Sequence, residues 1–267
     1  MKKLLSIKEF SELSGIEQTT LRYWDEIGLF HPAMRNAENN YRCYSHDQII
    51  LINYITVLSG LNIPLKTIGD VSEVRSPEKI MELIDQQEIK MDRELVRLRE
   101  AYSVMHTLRG LIRTGLNADE SAISVCTMEE MPMILGQRNV FGEEGRFLDA
   151  FTRFCQQAKQ MRINLSYPVG GQFESMGAFL QSPSQPQHFF SADPMGYDHS
   201  PAGEYLVGYQ RGNYGDMGDM PGRLEAYVQE HAITTTGPVS ILYLHDEICT
   251  SDPSKYLAQV RVRIEKH

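Results

Sequence analysis

The chain has 267 residues and a formal net charge of −9, long enough for two domains with their own cores. Its four cysteines, Cys43, Cys126, Cys155 and Cys249, are scattered, which excludes a disulfide framework or a paired-cysteine metal motif. No secretory leader is expected, because Lys2 and Lys3 precede only Leu4 and Leu5 before polar residues return; reduced thiols and a cytoplasmic location follow.

Ser6-Ile-Lys-Glu9 is a capping box that opens a first helix, with Ile7, Phe10 and Leu13 on one apolar face. Ser14-Gly15 ends it, since glycine takes the positive φ of a C-cap. A second helix runs from about Glu17 to Ile27 and stops at Gly28. Helix, tight turn, helix is a plan whose second helix can enter a DNA major groove. Gln18, Thr19 and Thr20 stand near its exposed N-terminus, within reach of base edges or phosphates. Arg22 can fork onto a phosphate, and Tyr23 and Trp24 each add a flat face and a polar handle. The alternative is that Leu21, Trp24 and Ile27 are simply core.

Asn-rich residues between Arg35 and Tyr41-Arg42-Cys43-Tyr44 read as a small hairpin, or wing. With that hairpin the stretch resembles the MerR family of bacterial regulators. Leu21-Arg22-Tyr23-Trp24-Asp25, Gly28-Leu29-Phe30-His31-Pro32 and Tyr41-Arg42-Cys43-Tyr44 stand, in order, where that family carries LRYY(E/D), GL-x-x-P and YR-x-Y. The likeness covers residues 4 to about 74. Trp24 replaces the usual second tyrosine. Ser59 stands before Gly60 where many relatives have Lys or Arg, which removes one phosphate contact. The resemblance implies contact with double-stranded promoter DNA through Gln18, Thr19, Thr20, Arg22, Tyr23, Trp24, Arg35, Tyr41, Arg42 and Lys66.

Ser45-His-Asp-Gln48 reads as a second capping box, opening a helix with Ile49, Ile50, Ile52, Ile55 and Leu58 inward; this run is too short to cross a bilayer. Pro64 starts a further helix with Leu65, Ile68 and Val71 inward. Residues 1–115 hold 15 Lys+Arg and 16 Asp+Glu, net −1, while residues 116–267 hold 11 and 19, net −8. Arg22, Arg35, Arg42 and Lys66 can make a local basic face, but without a strong positive field non-specific DNA binding should be weak.

Ser76-Pro77-Glu78 opens the connector, with serine as cap, proline in the first turn and glutamate on the helix dipole. From about Gln87 to Gly115 Met91, Leu95, Leu98, Tyr102, Met105 and Ile112 alternate by four and three, a coiled-coil seam. A homodimer paired along this helix would present two reading helices to a pseudo-palindromic site. The family resemblance makes that pairing antiparallel.

Leu116 to Ser121 is a polar linker. Beyond it, Ile123–Cys126, Met133–Gln137, Glu204–Tyr209, Pro238–Asp246 and Tyr256–Ile264 read as strands, and Glu144–Met161 and Pro221–Glu230 as helices. Helices on antiparallel strands give an α+β domain. This part resembles the GyrI-like effector-binding domain through Ala202-Gly203-Glu204-Tyr205, Gly237-Pro238-Val239, Leu242-Tyr243-Leu244-His245-Asp246 and the Tyr256 strand.

The expected architecture is therefore multidomain α+β. Residues 1–75 form a winged helix-turn-helix, 76–116 a connector and coiled-coil dimer helix, and 121–267 a GyrI-like domain. The combined resemblance implies a multidrug-sensing activator, not an enzyme and without a cofactor. A small-molecule effector would bind the C-terminal domain, and distortion of the promoter would let RNA polymerase engage it. Tyr167, Phe173, Glu174, Tyr205, Tyr209, Tyr214, Tyr243 and Tyr256 are the candidate ligand contacts, as aromatic faces suit flat or cationic molecules. Ile241 stands where the family's cation sensors carry glutamate, and Glu174 is the nearest substitute. Met195, Met217 and Met220 offer an adaptable wall or a mobile loop. Two alternatives remain: a small-molecule hydrolase, since some GyrI-like domains are hydrolases, and a metal or redox sensor of the same family, whose paired cysteines beyond the dimer helix are absent here.

Overall fold

The computed structural model describes residues 4–72, 74–141, 147–161 and 163–265. The chain divides into two compact units, Met1–Leu98 and Arg99–His267. The capping box forms: the Glu9 amide donates to Ser6 Oγ at 3.3 Å and the Ser6 amide to Glu9 Oε2 at 2.7 Å. Helix α1 (Ile7–Ser14) ends at Gly15 with φ 74°, and α2 (Gln18–Glu26) follows. β1 (Leu5–Ser6), β2 (Met34–Arg35) and β3 (Arg42–Tyr44) make a small sheet in the order β1-β3-β2. β2 and β3 are the wing; β1, not foreseen, pairs with its other edge through Leu5–Tyr44 and Ser6–Cys43. Phe10, Phe30 and Tyr44 stack with centroids 4.6–5.9 Å apart, locking α1, the segment after α2 and the wing together.

Helices α3 (Gln48–Gly60) and α4 (Leu65–Ser72) complete this core through Ile52, Ile55, Leu58, Ile63 and Ile68. Two local expectations fail. Ile50 is 77% exposed, because thirteen consecutive helical residues that are nearly all apolar must turn some of them outward. The second capping box is half-formed: the Ser45 amide donates to Gln48 Oε1, but the helix starts at Gln48 after a tight turn and Asp47 is its N-cap residue. The connector and seam are one 40-residue helix, α5 (Pro77–Leu116), capped by Ser76 Oγ, which accepts from the Lys79 amide. No proline interrupts it after Pro77, so nothing separates a connector from the seam.

In the second unit one curled antiparallel sheet takes the order β4-β9-β11-β10-β6-β7-β5-β8. Its strands are β4 (Ser124–Met128), β5 (Met131–Arg138), β6 (Val169–Phe173), β7 (His188–Ser191), β8 (Asp198–Ser200), β9 (Gly203–Arg211), β10 (Thr235–His245) and β11 (Leu257–Ile264). Helices α6 (Phe147–Met161), α7 (Met176–Gln181) and α8 (Met220–Glu230) complete it. Residues 144–146 of the expected first helix lie outside the described residues. No element is expected between 162 and 203 from the sequence, yet β6, α7, β7 and β8 lie there. Each has six residues or fewer, too short for a periodic signal. The polar linker is held rather than loose: Arg211 forks onto Glu120 at 2.6–2.9 Å and Arg223 donates to the Glu120 carbonyl.

Candidate functional sites: an exposed helix face and an aromatic cavity

In the first unit the motif residues divide into outward and inward groups. Thr19, Arg22 and Tyr23 are exposed on α2, Gln18 and Thr20 are half-buried, and Lys66 is exposed at the start of α4. Tyr41 is 71% exposed at the wing. Trp24 does not belong to this face. It is 5% exposed in the core, because its helical position shares the stripe of Leu21, so the ring cannot lie against DNA.

Asp25, beside it, is buried and joins the three motifs. Its carboxylate receives Arg35 Nη2 and Arg42 Nε at 2.6 Å each, and His31 Nδ1 lies 3.0 Å away. Burial pushes this carboxyl's pKa up, but the hydrogen bonds from His31 and Arg42 and the charges of both arginines outweigh it, and the group is held below its ordinary value. Arg42 is thereby committed to an internal ion pair, with its side chain 22% exposed, while Arg35 is paired but 42% exposed. The chemistry of this face is cationic and hydrogen-bonding, carried outward by Arg22, Lys66 and in part Arg35.

The second unit encloses a cavity of about 230 Å³. Phe147 and Phe151 from α6, Phe189 from β7, Tyr243 from β10 and Tyr214 from the loop after β9 form an aromatic wall. Phe147 and Tyr214 are nearly parallel with centroids 6.0 Å apart, and Tyr214 meets Tyr243 edge-on at 4.6 Å. Tyr243 is fixed by its hydroxyl, which accepts from the Gly215 amide at 2.9 Å and faces the Asn213 carbonyl at 3.3 Å. Met217 and Ile241 add apolar surface, and Leu108 of α5 closes one side.

Of the eight expected ligand contacts, Tyr167, Tyr214 and Tyr243 line this cavity. Phe173 is fully buried against Phe179, on the same sheet face as Ile241 and Tyr243 but farther along it, and Tyr205 hydrogen-bonds the Pro201 carbonyl. Tyr209 approaches Gln259, and Tyr256 lies behind Tyr214, 5.2 Å between centroids. Glu174 is exposed and paired with Arg138. These five are outside the lining: Tyr205 and Tyr209 take the other face of the sheet, since side chains alternate across a strand, whereas Phe173 and Tyr256 pack in the same core as Ile241 and Tyr243 without reaching the cavity. Met217 is a wall residue as expected, whereas Met220 is core and Met195 is 88% exposed.

The cavity's charge comes from residues outside the expected ligand contacts: Asp246 and Glu247, just after β10. Tyr214 donates its hydroxyl to Glu247. Burial raises the Asp246 pKa, as does the neighbouring Glu247 charge, so it gives up its proton less readily than an ordinary carboxyl. Tyr214's own pKa is raised, first by burial and then by the Glu247 hydrogen bond, and it stays a neutral donor. Phe147 and Phe151 stand at i, i+4 on the apolar face of α6, a spacing that by itself indicates core. Cys155 also reaches the cavity, as a thiol that burial keeps protonated. Among the described residues no group of three or more His, Cys, Asp or Glu could hold a metal ion, and no helix is long and apolar enough to cross a membrane.

Residues 5–73 match the model of the MerR HTH family regulatory protein. Over these residues the chain is similar to that family's helix-turn-helix domain. The multidrug-efflux transporter 2 regulator of Bacillus subtilis is 25% identical over 271 aligned positions, covering 100% of this chain and 98% of that one. The transcriptional regulator BrlR of Pseudomonas aeruginosa is 38% identical over 65 residues, 24% of each chain, confined to the MerR domain. A solved EcmrR–DNA complex within an EcmrR-RPo assembly aligns over 98% of this chain and 100% of its own, at 16% identity and a TM-score of 0.42. The family's motifs thus coincide with the Asp25 cluster and the exposed face of α2.

Proposed function

We propose that this regulator binds promoter DNA as a homodimer and activates transcription when a small aromatic molecule occupies the cavity of its second unit. The observation that carries the reading is the cavity itself: an aromatic space with two carboxylates, one wall of which is Leu108 of α5. The same helix exposes an apolar series on its surface, with Met91, Leu95, Leu98, Tyr102 and Met105 each at least 43% exposed. A second α5 packed on that series, antiparallel as in the family, would cover it. Full-length alignment with a multidrug-efflux transporter regulator supports a drug-like effector.

The lining holds no lysine, arginine or histidine among the described residues, so Asp246 and Glu247 favour a flat ligand bearing a cationic or hydrogen-bond-donating group. Ile241, in the wall, supplies shape where the family's cation sensors supply charge. In the dimer, two α2 helices would take Gln18, Thr19, Thr20, Arg22 and Tyr23 to successive major grooves, with Lys66 on the backbone. Distortion of the bound promoter would then let RNA polymerase engage both of its elements. The ligand biases two DNA-bound conformations and need not alter DNA affinity. The hydrolase alternative would rest on the Tyr214–Glu247 pair, since Cys155 is a protonated thiol and no described histidine lines the space.

The test is to select a duplex site from a random library with the full chain and place it in a promoter with a lengthened spacer. Run-off transcription is then measured with and without planar aromatic cations. Activation with the duplex still bound supports the reading. Release of the duplex on ligand addition would make the protein a derepressor, and failure to select a site would remove the DNA-binding assignment.

A further inference from the structure

Strand β10 sends Ile241 and Tyr243 into the cavity wall, and the residues after it, Asp246, Glu247 and Ile248, return to the cavity. Between them His245 turns to α5 instead: its Nε2 lies 3.2 Å from the Ile112 carbonyl. A carbonyl only accepts, so Nε2 carries the proton in this contact. Gly115, three residues on, makes room for the ring, since a Cβ there would stand 2.6 Å from His245 Nε2. Gly115 is buried and is not one of the chain's positive-φ glycines, so it is the missing side chain, not the backbone freedom, that this position uses.

The contact sits within a continuous joint. Leu108, about one turn before Ile112, is part of the cavity wall. Ile248 faces both the cavity and a groove beside Ile112 and Leu116. One short run of chain, from Ile241 to Ile248, therefore touches the ligand space and the last turns of α5. His245 is the polar link in that run, and it is absent from the cavity lining. A ligand seated against Asp246–Ile248 must either hold that run or displace it, and either outcome changes the load on the Ile112 carbonyl. Packed elements of this kind switch between discrete arrangements rather than deform continuously.

We propose that His245 is the contact through which α5 senses occupancy of the cavity, a role that rests on the cavity being the effector site. Full-length protein is titrated with N-methylacridinium, a planar aromatic cation, reading affinity by fluorescence and amide hydrogen exchange across residues 108–116 by mass spectrometry. In the wild type the probe binds and shifts exchange in that segment. His245→Leu, which keeps bulk and loses the donor, should bind the probe unchanged and lose the shift. His245→Gln, which can still donate, should retain it, and Gly115→Ala, which expels the ring from the opposite side, should lose it. If His245→Leu does not fold, the Gln and Gly115→Ala pair decides the matter. An unchanged shift in both His245→Leu and Gly115→Ala would overturn the proposal and leave the cavity reading standing, as would probe binding in the wild type without any shift. No probe binding in the wild type removes the effector cavity and the proposal with it.

Discussion

The two units use buried polar chemistry in opposite ways. In the first, Asp25 is saturated: two arginines and a histidine converge on one carboxylate, and three motifs far apart in sequence are pinned together. In the second, Asp246 and Glu247 face an apolar space whose described lining has no basic residue; among the described residues the Ile248 amide donates to Asp246 and the Tyr214 hydroxyl to Glu247. A saturated charge is architecture, because adding a ligand to it would require breaking a bond already made. An unsaturated charge beside aromatic faces is a place for something to arrive. The same difference separates Arg42, committed to Asp25, from Arg22, exposed on α2.

The largest expected effect tests what joins two copies. Leu98→Asp combined with Tyr102→Asp should give monomers by sedimentation, because two charges would lose their water in an apolar interface. A dimer that persists would place the interface elsewhere on the chain.

Asp25→Ala tests the saturated site. It leaves Arg42 half-buried without its partner and should destabilise the first unit by about 3 kcal/mol. Trp24 is the chain's one tryptophan and is buried in that unit, so its fluorescence in a urea titration reports this unit directly. A midpoint equal to wild type would show that the cluster is ornamental. The Asp25 pKa is lowered in the folded state, so its contribution is fully present above the ordinary, unfolded carboxylate value and is lost as pH falls through the lowered one. Wild type should therefore lose stability on acidification that Asp25→Asn does not.

Arg22→Ala sharpens the contrast between the arginines. It should leave the urea midpoint alone and weaken operator binding by roughly 1.5–3 kcal/mol per site through a lost charge-assisted contact. Arg42→Ala should instead lower the Trp24 midpoint. Equal behaviour of the two variants in both assays would erase the proposed division of labour.

The smallest effect is at the cavity. Tyr243→Phe removes a hydroxyl that accepts from the Gly215 amide, and the second unit should lose about 1 kcal/mol of stability. Affinity for N-methylacridinium should fall modestly as the wall loosens, with operator affinity unchanged. A variant with full stability and full affinity would mean that this hydroxyl positions nothing.

Some of this was determined by sequence alone. Capping at Ser6–Glu9, the stop at Gly15, the wing and the order of the three MerR motifs are local: each depends on side chains within a few residues of the backbone groups they satisfy. The 4–3 spacing along α5 is local for the same reason. In the second unit the long strands β9, β10 and β11 and the helices α6 and α8 were legible from their periodicity. Tertiary structure decided what these elements do together. Trp24 turned inward because a helical stripe has only one buried side, and Arg35 and Arg42 turned to Asp25 because folding brought residues 10 and 17 positions away to the same carboxylate. The cavity is wholly of this kind. Its walls come from α5, α6, β7, β10 and two loops, and part of them from short elements between 162 and 203 that carry no period of their own. Which face of a strand looks into that space is fixed by sheet order and curvature, and so Tyr243 lines the cavity while Tyr205 does not; Phe173 shares the face of Tyr243 but sits farther along the sheet.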